Sequence, residues 1–265
     1  MKIWETERPR ATIVLVHGSG EHHGRYEWLI QRFRKERFNV LIGDLPGHGE
    51  HAETPGHIAT FDEYIRTVDG WLAEAGKSGL PVVLFGHSLG GLIVIRTLME
   101  TSRKPAAVLL SSPCLGLTFP PAFYLRAFAK AMNTVAPGLL VRIKRNGRNP
   151  LATRNVEQLR KDEKDPLILT KVSIRWYNEL ERAMTLAFEK TVDFPDVPLL
   201  VLQAGDDKIV SRDKVFEWYE RLPIQIRAYK EWDGLYHELF NEPEREEVFQ
   251  AALAFLEERL TALDS

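Results

Sequence analysis

The stretch Gly86-His87-Ser88-Leu89-Gly90 reads G-x-S-x-G and joins two segments of different character. Residues 81–85 before it are short, β-branched and aromatic, which predicts a strand. Residues 91–99 after it form a longer apolar run, which predicts a helix. A serine on a tight turn between a strand and a helix exposes its hydroxyl, and the free N–H groups at the helix start favour negative charge. The stretch therefore predicts that Ser88 is a nucleophile.

The rest of the chain alternates short apolar runs with longer helical patterns. Further strands are predicted at 12–16, 39–42, 107–110, 199–202 and 224–229. Helices are predicted at 26–36, 61–75, 211–221 and 243–262. Unbroken apolar strands that alternate with helices are typical of a parallel sheet covered by helices on both faces. We therefore predict an α/β fold with a mostly parallel sheet.

The alternation of strands and helices stops after the predicted strand 107–110. Residues 115–193 show amphipathic helical pieces and no clear strand, with an apolar stripe that runs from Tyr124 to Val135. We interpret residues 115–193 as a helical cap, inserted into a core made of residues 1–114 and 194–265. The cap is expected to lie over the carboxyl edge of the sheet.

Polar residues suited to acyl transfer follow several of the predicted strands. They lie at His17-Gly18-Ser19-Gly20, at the Ser88 turn, at Gly205-Asp206-Asp207 and at Tyr236-His237. The carboxyl ends of parallel strands meet at one edge of the sheet, where α/β proteins build their sites. The order serine, aspartate, histidine along the chain is that of α/β hydrolases. We therefore expect these loops to form one active site.

Each of these residues has a distinct expected task. A serine hydroxyl is a poor nucleophile until a base takes its proton, so Ser88 needs His237 within hydrogen-bond reach. Asp207 is expected to accept the other imidazole N–H, which fixes the tautomer and stabilises the imidazolium. The backbone N–H groups of Ser19 and Leu89 are expected to hold the oxyanion of the tetrahedral intermediate.

The chain resembles the monoacylglycerol lipase and lysophospholipase group of serine α/β hydrolases. The resemblance covers nearly the whole chain outside the cap, and its motifs are His17 to His22, Gly43 to Gly49, Gly86 to Gly91, and the loops of Asp207 and His237. It implies the α/β-hydrolase fold and the triad Ser88, Asp207 and His237. Position alone leaves Asp206 and Asp233 open as the acid, and the family motif favours Asp207.

The resemblance also has implications for the head-group end of the pocket. Glu21 and Arg25 match family positions near the glycerol-binding end, which implies that they bind the substrate. Some members carry a second polar histidine three residues after the catalytic one, where this chain has Phe240. The chain therefore departs from the family pattern at one head-group position.

Composition and patterning exclude several classes of protein. Cys114 is the only cysteine, so no internal disulfide can form, and residues 1–8 are too polar for a signal peptide. The longest uncharged stretch, 105–125, is interrupted by prolines and is not interpreted as a membrane span. We therefore expect a cytoplasmic protein.

No cofactor or metal is predicted for this chain. Histidines that invite a metal interpretation are His22, His23, His48, His51 and His57. Their spacing fits no compact zinc pattern, and no cysteine accompanies them. No nucleic-acid module is recognised either, so nucleic acid is not an expected partner.

The net charge is only −2, but the basic residues are unevenly distributed. No Asp or Glu occurs between Thr101 and Val156, whereas that stretch carries Arg103, Lys104, Arg126, Lys130, Arg142, Lys144, Arg145, Arg148 and Arg154. The block is either a solvated face or the basic side of a cap that docks on anionic membranes.

These observations together predict a serine esterase that cleaves single-acyl-chain lipids through an acyl-enzyme. The resemblance implies a substrate like that of monoacylglycerol lipases, and the sequence leaves the head group open between glycerol, glycerophosphocholine and simple alcohols. A lysophospholipase, a short-chain carboxylesterase and a thioesterase share the triad and stay open as alternatives. A non-enzymatic binder on the same fold is disfavoured, since such proteins tend to lose triad members.

Overall fold

The computed structural model describes residues 1–143 and 150–262. Its strands are β1 (Lys2–Trp4), β2 (Ala11–Val16), β3 (Phe38–Ile42), β4 (Val82–His87), β5 (Ala107–Ser111), β6 (Leu140–Arg142), β7 (Lys171–Ser173), β8 (Leu199–Ala204) and β9 (Arg227–Trp232). Its helices are α1 (Glu27–Lys35), α2 (Asp62–Gly76), α3 (Leu89–Leu98), α4 (Phe123–Val135), α5 (Val156–Lys164), α6 (Ile174–Glu189), α7 (Arg212–Glu220) and α8 (Arg245–Thr261). Short 3₁₀ turns occupy His23–Tyr26, Thr191–Asp193 and Leu239–Asn241.

The main sheet has seven strands in the order β1-β3-β2-β4-β5-β8-β9. Every neighbouring pair in it is parallel except β1 and β3, which are antiparallel. Helices cover both faces, so the predicted α/β-hydrolase fold is confirmed. The sequence analysis missed β1, because a three-residue, largely exposed edge strand carries too little apolar periodicity to be detected.

The two faces of the sheet bury separate cores because successive strand residues point to opposite sides. In β2, Val14 and Val16 belong to the core that also contains residues of α2, α3, α6 and α7, whereas Ile13 and Leu15 belong to the core that contains residues of α1 and α8. All six residues of β2 are buried. A slip of one residue in the register would exchange the two sets, so this double burial fixes the register of the strands.

The last strand of the sheet begins later than predicted. The apolar pattern placed it at 224–229, and the structure places β9 at Arg227–Trp232. Ile224 is buried in the loop before β9, where it packs with the α7 side of the core. The strand itself is only partly buried, since it lies at the sheet edge. Loop packing therefore produced the apolar signal that was interpreted as strand.

The region expected to form a strand-free cap contains two short strands. β6 and β7 pair antiparallel, with Leu140 opposite Ser173 and Arg142 opposite Lys171. Each strand has three residues and pairs only with the other within the described chain, so neither produces a recognisable run. Helix α6 packs into the core cluster through Trp176. The division at residues 115 and 193 stays a prediction.

Within the described residues, the structure contains no helix that is long and apolar enough to cross a membrane. Of the basic residues in the stretch 101–156, Lys144, Arg145 and Arg148 lie outside the described residues. Arg142 is exposed at the end of β6.

Candidate active site

Ser88 lies on the sharp turn between β4 and α3, with φ of 53° and ψ of −118°. This backbone conformation is unusual for a residue with a side chain, and tight packing of the flanking glycines maintains it. A Cβ added to Gly86 would lie 2.6 Å from the carbonyl oxygen of Gly90. A Cβ added to Gly90 would lie 2.2 Å from the carbonyl oxygen of Val16. The G-x-S-x-G pattern is therefore required by the geometry of the turn.

The structure brings Ser88, His237 and Asp207 into one hydrogen-bonded chain. The Ser88 hydroxyl lies 2.8 Å from Nε2 of His237, and Nδ1 of His237 lies 2.7 Å from Oδ2 of Asp207. All three residues are buried. Asp206, an alternative by sequence position, is exposed. The hydroxyl is thus oriented to give its proton to an imidazole whose other nitrogen faces a carboxylate.

Several groups hold the Asp207 carboxylate in place. The backbone N–H groups of Ile209 and Val210 donate to Oδ1 at 2.9 and 2.8 Å, and the Gln203 amide donates to Oδ2 at 3.3 Å. Burial acts to raise the pKa of Asp207, but His237 and the two backbone donors lower it by more, so the net shift is downward. Asp207 is therefore ionised at neutral pH.

The electrostatic environment of His237 favours its protonated form. Burial acts to lower the pKa of His237, but the charge and hydrogen bond of Asp207 raise it by more, with smaller contributions from Glu238 and Glu21. The net shift is upward from the ordinary value of 6.5. An imidazole in this environment is a stronger base than a free one, which suits proton transfer from a serine.

Two backbone segments meet beside Ser88 where an oxyanion would form. Leu89 is the first residue of α3, and Ser19 lies in the loop that follows β2. The contact of Gly90 with the carbonyl of Val16 shows that the first turn of α3 packs against the start of that loop. The predicted oxyanion donors therefore come from adjacent segments, although they are far apart in the chain.

Glu21 and Arg25 lie in a buried charged cluster. Arg25 contacts Glu21 at 3.0 Å, Asp162 at 2.6 Å and Glu238 at 3.0 Å, and its side chain is 4% exposed. The Tyr26 hydroxyl donates to Glu21 at 2.8 Å. The cluster thus joins the loop after β2, helix α5 and the residue next to His237. Sequence analysis did not find Asp162 or Glu238, because neither stands in a motif.

The family described as serine aminopeptidase, S33 (Hydrolase_4) matches residues 7–244 of this chain. The chain belongs to this family. It is 46% identical to phospholipase YtpA of Bacillus subtilis, over 97% of this chain and 99% of that protein. It is 30% identical to human monoglyceride lipase, over 91% of this chain and 80% of that protein. This hydrolase is therefore of the monoacylglycerol lipase and lysophospholipase type, and it is a carboxylic ester hydrolase.

A solved structure supports the same assignment. The monoacylglycerol lipase of Paleococcus ferrophilus superposes with a TM-score of 0.86 at 31% identity, over 98% of this chain and 97% of that one. The superposition covers the cap as well as the sheet, since little of either chain lies outside it.

Two histidines beside the triad of this hydrolase are held by backbone groups. His17 pairs with the Gly18 carbonyl at 2.8 Å through Nδ1 and accepts from the Leu45 N–H at 3.0 Å through Nε2. His87 approaches the Ser111 carbonyl at 3.2 Å, and burial lowers the pKa of His87 to about 4. Both are therefore neutral at pH 7 and support the loops around Ser88.

The ring nitrogens of His22 and His23 and the carboxylate of Asp44 lie within 4.8 Å of one another. Each histidine already has protein partners. Nε2 of His22 contacts Asp165 at 2.7 Å, and Nδ1 of His23 contacts Asp44 at 2.9 Å. The Lys2 ammonium lies 2.9 Å from Nε2 of His23, where a second cation would be repelled. The geometry fits a hydrogen-bonded, mostly buried cluster, and we propose no metal there.

Proposed function

We propose that this hydrolase cleaves single-acyl-chain lipid esters through an acyl-enzyme on Ser88. The observation that carries the proposal is the chain of hydrogen bonds from Ser88 to His237 at 2.8 Å and from His237 to Asp207 at 2.7 Å. Such a chain supplies a nucleophile, a general base and a group that orients the base. No cofactor is needed for these steps.

In the first half of the proposed reaction, the Ser88 oxygen attacks the ester carbonyl while His237 takes the hydroxyl proton. The N–H groups of Leu89 and Ser19 stabilise the oxyanion, which forms only on the way to the tetrahedral intermediate. The intermediate collapses when the alcohol leaves with the proton from His237. Water then repeats the sequence on the acyl-enzyme, releasing the fatty acid and regenerating Ser88.

Covalent labelling and hydrolysis test this proposal together. A fluorophosphonate is expected to label the wild type at Ser88, and Ser88→Ala should lose both labelling and ester hydrolysis. Ser102→Ala is the matched control, because Ser102 is exposed and remote from the triad motifs. Normal hydrolysis by Ser88→Ala would refute the proposed nucleophile.

The charges near the triad favour an uncharged head group such as glycerol. Glu21, Asp162 and Glu238 surround the single guanidinium of Arg25, so the cluster carries an excess of carboxylates. Glu21 lies 3.8 Å from His87, whose ring centroid is 4.9 Å from that of His237. A phosphate close to these carboxylates would be repelled. Monoacylglycerol is therefore our first proposed substrate class, with Glu21 and Arg25 at its head-group end.

A lysophospholipase is the second candidate, because the relative that is 46% identical over nearly the full length is named a phospholipase. The two candidates are separated by substrates that share one acyl chain and differ in the head group: 1-lauroylglycerol, lauroyl-lysophosphatidylcholine and p-nitrophenyl laurate. A higher kcat/KM for the glycerol ester supports the first candidate. A higher value for the lysophosphatidylcholine supports the second, and activity on the p-nitrophenyl ester alone indicates a carboxylesterase.

We also propose that α4 docks on anionic membranes, which would bring the hydrolase to its substrate. The side chains of Phe123 and Phe128 on α4 are 83% and 59% exposed, and no residue of α4 is buried. The stretch 101–156 around this helix carries basic residues and no acidic ones. An exposed apolar face with basic surroundings fits a surface of anionic lipid headgroups.

Vesicle sedimentation tests the docking of α4. The double variant Phe123→Ser, Phe128→Ser should lower binding to phosphatidylglycerol vesicles at least about tenfold. Each phenyl ring that is buried in the membrane on docking contributes about 1.5–3 kcal/mol to the binding free energy. Reversing Arg142, Lys144, Arg145 and Arg148 to Glu should also weaken binding. Phosphatidylcholine vesicles are the control for charge. Unchanged binding in both variants would exclude this surface.

A further inference from the structure

The loop that carries Ser19 is hydrogen-bonded to α5 and to the residues directly after that helix. We call residues 17–25 the oxyanion loop and residues 156–169 the α5 segment. The Arg25 guanidinium donates to both carboxylate oxygens of Asp162, at 3.0 and 2.6 Å. Nε2 of His22 lies 2.7 Å from Asp165. The backbone N–H of Leu169 donates to the Gly20 carbonyl at 3.1 Å.

These contacts reach the oxyanion loop immediately after Ser19. Gly20 has a φ of 72°, a left-handed conformation that gives the loop its turn directly beside the Ser19 N–H. The bond from Leu169 holds the carbonyl of this same residue. The α5 segment therefore sets in part the orientation of the peptide between Gly20 and Glu21, two peptide units after the one that carries the Ser19 N–H.

His22 uses one ring nitrogen to bond Asp165 and the other to bond the backbone of the oxyanion loop. Nδ1 of His22 accepts from the Gly24 N–H at 3.2 Å, so the ring proton lies on Nε2 and is donated to Asp165. The side chains of His22 and Asp165 are 10% and 25% exposed. The His22 hydrogen bonds thus link the α5 segment to the backbone of the oxyanion loop in a largely desolvated environment.

We propose that Asp162 and Asp165 are positioning residues for the oxyanion hole, acting through Arg25, His22 and the oxyanion loop on the N–H of Ser19. The proposal rests on the proposed acyl-transfer function of Ser88. Neither aspartate is assigned a contact with substrate. The cap then contributes to the chemical step, in addition to covering the site, because an oxyanion donor displaced by a fraction of an ångström stabilises the intermediate less.

Steady-state kinetics on p-nitrophenyl butyrate test the proposal. Asp165→Ala is expected to lower kcat about tenfold or more while KM stays within about threefold, because the affected donor acts mainly on the tetrahedral intermediate. Asp165→Asn should keep most of the activity, since its amide oxygen still accepts from His22. Glu163→Ala is the matched control, because Glu163 is an exposed acid in the same α5 segment.

A second readout separates positioning from loss of structure. A boronic acid forms a tetrahedral adduct on Ser88, so its affinity should fall in Asp165→Ala by about the same factor as kcat/KM. The acid limb of the pH profile should stay in place, because the contacts of His237 with Asp207 and Ser88 are untouched. Asp162→Ala carries the same expectation and replaces Asp165→Ala if that variant does not fold.

The outcomes distinguish this proposal from the proposed function. A kcat within twofold of the wild type in both alanine variants overturns the positioning role and leaves the triad intact. An equal loss in Glu163→Ala overturns it as well, since it would reflect the stability of α5. If the wild type is labelled by fluorophosphonate but does not hydrolyse the ester, the labelling rate replaces kcat. If the wild type shows neither, both proposals are refuted.

Discussion

The helices α4 and α5 lie in the same predicted cap, but the rest of the molecule holds them very differently. In α5, Leu159 and Asp162 are buried, and the α5 segment is bonded to the loop of Ser19. The residues directly before α5 are bonded to the loop of His237, as in the bond from the Glu238 N–H to the Ala152 carbonyl at 2.8 Å. In α4 no residue is buried, and its contacts run to the neighbouring helix α6, as in the bond from the Asn178 amide to the Ala129 carbonyl at 3.2 Å. One part of the predicted cap is fixed to the loop of Ser19, and another presents an apolar surface.

This difference suggests a division of labour within the cap. The buried, charge-paired contacts of α5 suit a segment that must hold the geometry of a reaction. The exposed aromatic side chains of α4 suit a segment that meets a lipid surface and leaves it again. Variants at different places should therefore change different quantities. Variants of the triad should lower kcat, variants of the anchor before α5 should lower the free energy of unfolding, and variants of α4 should lower vesicle binding.

The largest loss of activity is expected for a variant of the triad. Asp207→Asn is expected to lower kcat about 10⁴-fold, because the amide no longer fixes the productive tautomer of His237. Asp206→Asn is the matched control, since the neighbouring Asp206 side chain is exposed, and it should retain activity. Ester hydrolysis measures both. Equal activity losses in the two variants would show that Asp207 has no special role.

The residues directly before α5 are anchored on the His237 loop, and this anchor should have a clear effect on stability. The buried carboxylate of Glu242 accepts from the Thr153 hydroxyl at 2.5 Å, from Arg154 at 2.6 Å and from the Tyr236 N–H at 3.1 Å. Glu242→Ala leaves the buried Thr153 hydroxyl and the part-buried Tyr236 N–H without their acceptor, and it removes one partner of Arg154. It should lower the free energy of unfolding by about 1–3 kcal/mol.

Urea unfolding measures the effect of Glu242, with Glu244→Ala as the control. Glu244 is paired with the same Arg154, but both side chains are 35% exposed. Its removal should change the unfolding free energy by about 0–1 kcal/mol. If the Glu242 variant were as stable as the Glu244 variant, the residues before α5 would not be anchored by this carboxylate.

The pH profile tests whether the cluster bound to α5 acts on the triad electrostatically. The pKa of His237 is raised because the effects of Asp207, Glu238 and Glu21 exceed that of burial. Since the base must be neutral, activity should fall as the pH drops through this raised pKa. Glu238→Gln removes one negative charge, so the acid limb of kcat/KM should move to lower pH. Lys130→Gln on α4 should leave the limb in place.

The smallest effect is expected for the stability of α4 variants. Phe123→Ser and Phe128→Ser should each change the free energy of unfolding by no more than about 0.5 kcal/mol, because these rings are largely exposed. Leu159→Ala in α5 is the matched contrast, since Leu159 is 5% exposed and its truncation should cost about 2–5 kcal/mol. Thermal and urea unfolding compare them. A large loss in the α4 variants would show that this face is covered by the protein itself.

Local sequence determined the sheet and the turn at Ser88. The strands with unbroken apolar residues, such as β2, were predicted because both of their faces are buried, which leaves a strong signal in a few residues. The short and edge strands β1, β6 and β7 were missed, and β9 was misplaced, because a few half-exposed residues carry no distinctive pattern. Motif order gave the candidates for triad and oxyanion donors, and the structure places the triad side chains in contact.

Only the tertiary structure determined the partners of the loop that carries Ser19. Asp162 meets Arg25 from 137 residues away, and Asp165 meets His22 from 143 residues away. Neither aspartate has a local pattern that separates it from an ordinary solvated acid on an amphipathic helix. Periodicity and motifs report the chain's neighbours in sequence, whereas a buried ion pair depends on where the folded chain brings distant charges together. The sequence by itself therefore determined the candidates for the reacting groups, and the packing of the α5 segment determined what holds the loop of Ser19.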